Sequence, residues 1–274
     1  MDKKYADGFY PALLKYWRNQ RGMSQIDLAY SASVSSRHIS FLETGRSQPS
    51  CEMVLCLAST MDLSMRVKNE MLVAAGYPPA FRHSLLDDET SISGVQTALD
   101  LILDRQEPFP VFVMDGCFDI VRTNTSAKKF LSLICSNPSL LGETPNGYNV
   151  FLHPDLGRDS VRDWPEVAAL LVGLLHRKVL LCPGNNALKE LLETILNLPD
   201  INQNWRTLHL DTPATGVFTF HFETDEFEGA FLTTLTTFIA PNNITLEELA
   251  IESYYPLDEQ TSRECYKKLA VSRQ

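Results

Sequence analysis

Between Ser24 and Gly45 the chain writes two short helices around a tight turn, SQIDLAYSA and SSRHISFLE. Ser24 and Ser35 stand where a helix needs a side-chain oxygen for its unpaired first N–H groups. Gly45 supplies a C-terminal stop. Two capped helices this close together must cross, and the side chains permit it. Leu28 and Ala29 fall on the inner face of the first, with a small residue at the crossing. Val34 plugs the turn, and Ile39 and Leu42, three apart, anchor the second helix inward. Ser35, Ser36, Arg37, Ser40 and Phe41 are then left facing outward.

Three further helices enclose this pair. The first runs from about Tyr10 to Arg21, with Pro11 at a start where its missing N–H is not needed. Pro49-Ser50 opens another through Leu63, and Ser64 caps a last one ending at Gly76. The outward residues suit a base-reading surface. Arg37 can fork onto a guanine, the serines can bond bases or phosphates, and Phe41 can press on a thymine methyl. Gln25 at one helix start and Arg46 in the following loop are placed for phosphates. His38 reads as a surface histidine.

The net charge of −10 argues against nucleic acid until the chain is divided. Residues 1–85 hold ten Lys and Arg against seven Asp and Glu, whereas residues 86–274 hold 14 against 27. A mildly basic part is thus tethered to an acidic one that avoids DNA.

The stretch Leu14–Leu63, with RGMSQIDLA, VSSRHISFLETG and RSQPS, resembles the phage-repressor-like Xre helix-turn-helix family. The resemblance implies an all-α, five-helix, lambda-repressor-like DNA-binding domain, here expected over residues 1–80. The family usually has glycine in the inter-helix turn, where this chain has Ser33.

Residues 81–94 lack a hydrophobic period and are rich in serine and acidic residues, so a linker is expected there. The remainder, 95–274, mixes periods of 3.6 and 2. An amphipathic helix, Val95–Arg105, precedes Pro108 and Pro110. Val111–Met114 and Phe118–Thr123 flank Asp115-Gly116 as a hairpin, and Asn124 and Thr125 cap a helix to Cys135. Pro165–Lys178 and Ala187–Leu196 carry leucine stripes. GVFTFHF and GAFLTTLTTFIA read as strands about TDEFEG, and helices are expected over Thr245–Ile251 and Asp258–Val271. This pattern predicts an α+β domain with an antiparallel sheet and helices on one face.

FPVFVMDGCFDIVRTN, NVFLHPDL through DWPEV, NALKELLETILNLPDINQNWR and TTLTTFIAPNNITLEELAIESYYPLDEQT resemble the ligand-binding domain of MmyB-like regulators, a PAS-like fold. Phe118 and Thr123 stand where that family often has tryptophan. The resemblance implies a small apolar ligand, fatty-acid-like molecules leading. A sheet backed by helices leaves a concave apolar interior. Alternate strand residues would line it: Phe112 and Met114, then Phe218, Phe220 and Phe222, then Phe231 and Leu235. Arg122 is the candidate for a bidentate pair with a ligand carboxylate.

Catalytic patterns do not assemble. GxSxG, HExxH and GxxxxGK[ST] are missing. His221 and Glu223 have the spacing of a zinc-deaminase pair, but no PCxxC follows. Six cysteines without CxxC spacing read as reduced thiols rather than zinc ligands or a disulfide framework. With 44% hydrophobic and 21% charged residues the composition is that of a globular protein. No apolar run approaches a membrane span, and the N-terminus lacks a signal peptide. The expectation is a cytoplasmic, non-enzymatic, ligand-responsive regulator of transcription. It would bind a double-stranded operator as a homodimer and need no cofactor or metal. The alternative is a protein-interaction adaptor whose acidic domain holds a partner.

Overall fold

The computed structural model describes residues 9–81, 89–182, 185–201, 218–238 and 243–270. The chain divides into two units, residues 1–84 with 240–247 and residues 85–239 with 248–274.

Five helices build the N-terminal stretch of the first unit: α1 (Phe9–Gln20), α2 (Gln25–Ser31), α3 (Ser36–Glu43), α4 (Cys51–Thr60) and α5 (Met65–Ala74). Four of them start alike. Ser24, Ser35, Ser50 and Ser64 each accept the backbone N–H three residues on, from Asp27, His38, Met53 and Val67. Asp27 also reaches back to the Ser24 N–H, completing a capping box. Each such cap is worth about 1 kcal/mol.

The helix ends are equally uniform. After each helix one residue turns left-handed: Gly22, Ser33, Gly45, Asp62 and Gly76, with φ from 50° to 86°. At Ser33 this closes a Schellman motif, in which Ser33 N–H donates to the Tyr30 carbonyl and Val34 N–H to that of Ala29. Ser33 thus holds a left-handed turn position without glycine's conformational freedom. Asp62 stops α4 at Thr60, short of the expected Leu63. Leu14, Trp17, Leu28, Ile39, Leu42, Leu57 and Met61 fill the core, and Val34 packs half-buried against it as the expected plug.

The second unit holds a five-stranded antiparallel sheet: β1 (Val111–Met114), β2 (Ile120–Thr123), β3 (Phe218–Glu223), β4 (Glu228–Thr237) and β5 (Ala250–Pro256), in the order β2-β1-β5-β4-β3. The two expected hairpins are present, and β5 lies between them. The expected helix Thr245–Ile251 is a correction: α11 covers Ile244–Glu248 only, and Ile251 is in β5. The strand was hidden because AIESYYP is buried on both faces and has no period of two. β2 begins at Ile120, two residues late, since Phe118 has φ 66° and cannot lie in a strand. Gly216, Val217, Ile239 and Ala240 of the expected β3 and β4 lie outside the described residues.

Helices cover both faces of the sheet, not one as expected. α6 (Glu89–Arg105) sets Leu99 and Leu103 against Val111, Val113, Leu249 and Ile251. It begins inside the expected linker, so residues 89–94 are helical. On the opposite, inner face, α7 (Thr125–Ile134) and α8 (Gly147–Leu152) pack over Phe112, Met114, Phe220, Phe222, Phe231 and Tyr254. α9 (Trp164–Leu181) and α10 (Asn186–Leu196) close around Tyr148 and Leu152 of α8. After β5 come α12 (Glu259–Glu264) and a π-helical turn, Cys265–Leu269, in place of one long helix; Val271 lies outside the described residues.

Candidate nucleic-acid interface and ligand cavity

The first candidate site is the outer surface of α3. Ile39 and Leu42 are fully buried, which turns Ser36 and Arg37 to solvent and leaves Ser40 and Phe41 half-exposed. The Arg37 guanidinium lies over the Phe41 ring, 5.2 Å from its centre. Such stacking limits a long side chain's freedom without occupying its hydrogen-bond donors. Ser35 is exposed, but its oxygen accepts the His38 N–H as the helix cap. Its O–H remains a donor and its second lone pair can still accept, so the cap does not use up the hydroxyl. Arg46 is exposed in the loop after α3.

Gln25 is held differently from the expectation. Its amide Nε2 donates to Glu43 Oε2 at 2.8 Å. The same carboxylate takes Arg18, whose Nε and Nη2 donate at 2.6 and 3.0 Å while its Nη1 donates to the Met23 carbonyl at 2.7 Å. Burial pushes the Glu43 carboxyl up, but the bonds from Arg18 and Gln25 outweigh it and hold it below the usual value. This network ties α1, the start of α2 and the end of α3 into one fixed angle. The spacing of Arg18 and Glu43 in sequence gave no signal of it.

The second candidate site is an apolar cavity of about 130 Å³ in the second unit. The inner face of the sheet supplies Met114, Phe218, Phe220, Thr233, Leu235 and Glu252, and α8 and α9 supply Tyr148, Phe151, Leu170, Leu171 and Leu174. Of the expected lining, Met114, Phe218, Phe220 and Leu235 are in place. Leu235, at 59% exposure, belongs to its rim. Phe112, Phe222 and Phe231 share the same face, yet they are sealed into the core around Phe130 and Tyr254 and do not line the cavity. These rings fill the centre of the inner face beneath α7, and the apolar cavity lies beside them at the α8–α9 side.

Arg122 is a second correction. It is on edge strand β2, pairs with Asp100 of α6, and lines a separate, more polar groove with Lys128 and Glu143. It is not among the residues that line the apolar cavity.

Sequence reasoning missed Glu252, which reads as the polar position of a helix. It sits opposite Phe112 on β1 and Leu235 on β4, half-buried in the cavity wall. Burial pushes its carboxyl up to about 7, against a smaller lowering from the Tyr254 hydroxyl. Tyr254, two residues on along the same face, is raised well above the ordinary tyrosine value by burial and by the Glu252 charge. Its hydroxyl also interacts with the Glu252 carboxyl, which adds to the shift, although no bond of normal length and angle forms there. Tyr148 is shifted in the same direction, by burial and then by Glu252. Phe118 adds an aromatic wall, its ring edge-on to Tyr148 at 4.7 Å.

Other polar groups settle as ordinary surface or turn features. His221 and Glu223 are exposed on β3, with Arg162 on Glu223 at 2.7 Å. His153 Nδ1 accepts the Asp155 N–H in a turn. Cys51, Cys56, Cys135 and Cys265 are free thiols. Among the described residues no His, Cys, Asp and Glu gather into a metal-sized cluster, and no helix is long and apolar enough to cross a membrane.

Comparison with known proteins bears on both units. The family model of the MmyB-like transcription regulator ligand binding domain matches residues 95–265. A helix-turn-helix model matches residues 14–67. No curated protein matches the chain.

Proposed function

The chain belongs to the MmyB-like transcription regulators, a helix-turn-helix DNA-binding domain joined to a ligand-binding domain, and we propose how each part acts. Residues 1–80 read the operator with the outer surface of α3. Arg37 takes a base edge, Phe41 positions it, and Ser36 and Ser40 flank it. Ser35 and Arg46 hold the backbone. Gln25 braces the helix pair through one amide N–H on Glu43 and keeps its second N–H for a phosphate. Residues 95–274 sense a small molecule with an apolar body in the cavity between β3–β4–β5 and α8–α9. A homodimer on half-sites one helical turn apart, about 34 Å, suits this geometry of reading. Its setting is the cytoplasm.

The observation that carries the DNA reading is the exposed Arg37 stacked on Phe41 at the outward end of a buried-face helix. For the sensor, support comes from the Met114, Phe220 and Leu171 cavity, where apolar surface remains unfilled inside the fold. A fatty-acid-like ligand has the right body for such walls. Its chain exceeds the present volume, and Arg122 is not there to take its head.

The test is twofold. Operator fragments selected from random DNA by the purified protein should lose affinity and sequence preference with Arg37→Ala, and unchanged selection would end the α3 assignment. For the sensor, native mass spectrometry of gently purified protein should show a bound small molecule, lost when Leu171→Trp fills the cavity. A mass spectrum identical for both forms counts against the pocket.

A further inference from the structure

The cavity has one polar wall residue of unusual kind. Met114, Phe118, Phe151, Phe220, Leu171 and Leu174 make its walls apolar, and in that setting Glu252 presents a carboxyl group. A carboxylate in a low-dielectric site is costly unless a donor or a cation meets it. The described lining offers it no Lys, Arg or His. Its nearest titratable neighbours on the packed elements are phenols, Tyr148 and Tyr254, both shifted so as to stay neutral. The Tyr254 hydroxyl, buried and without a hydrogen-bond partner among the described residues, lies on the same strand face.

Size adds a second constraint. At about 130 Å³ the cavity resembles the ~150 Å³ apolar cavities that take a benzene molecule. A six-carbon chain or a single ring fits it, with the rim at Leu174 and Leu235 open to something longer.

We infer that this cavity selects its ligand by a hydrogen-bond-donating head, an amine or its ammonium ion, which meets Glu252 while a compact apolar body lies against Phe220 and Leu171. The inference rests on the sensor reading above and goes further by naming the head group. An ammonium beside Glu252 stabilises its ionised form, whereas a ligand carboxylate would set a second anion against that form in the same low-dielectric space.

Hexylamine, hexan-1-ol and hexanoate share one body and differ in the head, so titrating each into the full-length protein at neutral pH isolates the choice. Ligand-observed NMR can follow the weak binding. Hexylamine should bind about tenfold more tightly than hexanoate, a difference of ~1.4 kcal/mol, with the alcohol between them. In Glu252→Gln the amine's advantage should shrink to about threefold or less while the alcohol changes little. If the amine and the carboxylate bind alike in the wild-type protein, the head-group inference is wrong. That ranking needs no variant, so it stands even if Glu252→Gln folds poorly. If none of the three binds, the alcohol included, the cavity reading itself has failed.

Discussion

Arg18 grips Glu43 through two parallel N–H···O bonds, of 2.6 and 3.0 Å, and so joins α1 to the last residue of the α3 helix. Their side chains are only 9% and 2% exposed. Planar two-point pairing of this kind fixes direction as well as distance. The angle at which α3 is presented thus depends on a contact far from its outward face.

Removing the carboxylate should therefore damage fold and function together. Glu43→Ala leaves the Arg18 charge buried without its partner, at a cost of about 3 kcal/mol. Denaturant unfolding of the first unit, followed by helix signal, would check the loss. Acid should mimic it. Glu43 is held below its ordinary 4.5, so its contribution is complete above that value and fades as pH falls through the lower, folded-state one.

Arg37→Ala should weaken operator binding by about 10- to 100-fold and relax preference at one base pair. Phe41→Ala should give a smaller loss in the same direction, because it removes the ring under the guanidinium. Arg46→Ala should differ in kind, lowering affinity evenly across sequences and reducing the salt slope by about one. Anisotropy titrations at several salt concentrations separate the two patterns.

Ser33 sits at φ 56°, where a side chain is strained and glycine is not. Ser33→Gly should stabilise the first unit by about 0.5–1 kcal/mol, measured as a raised unfolding midpoint. DNA affinity should be unchanged, since the turn already has the shape that glycine would adopt.

Glu252 predicts a pH effect of opposite sign to that of Glu43. Its carboxyl titrates near 7 in the folded protein against an ordinary 4.5, so the folded state binds a proton more tightly. The second unit should lose stability as pH rises through that window and level off above it. Glu252→Gln should flatten the dependence and gain at most about 3 kcal/mol at the alkaline end. Thermal unfolding across pH gives both curves. Parallel curves for the two proteins would mean that Glu252 is better solvated than its surroundings suggest.

The first unit was legible because its signals are local. Ser24, Ser35, Ser50 and Ser64 each announce a helix within three residues, and Ile39 with Leu42 set the facing of α3. What was illegible there, the Arg18–Glu43–Gln25 network, joins residues distant in sequence. In the second unit the alternating FTFHF pattern revealed β3 and its face. β5 did not show, because a strand with neighbours on both edges and helices on both faces loses its alternation, and LEELA before it continues a helical pattern. Missing β5 meant missing Glu252. The leucines of α9 were visible as a stripe, but which of them meet core and which meet empty space is decided by how far Phe130 and Phe222 fill the opposite side of the sheet.

The central place of β5 has a consequence in time. β1 and β4 have no pairing with each other; each pairs with β5, which follows all the other strands along the chain. On the ribosome, the serine-capped helices of the first unit can fold as soon as they emerge, from contacts close in sequence. The sheet must wait with two unjoined hairpins until residues 250–256 arrive. A nascent or prematurely ended chain would then carry an operator reader with no sensor behind it.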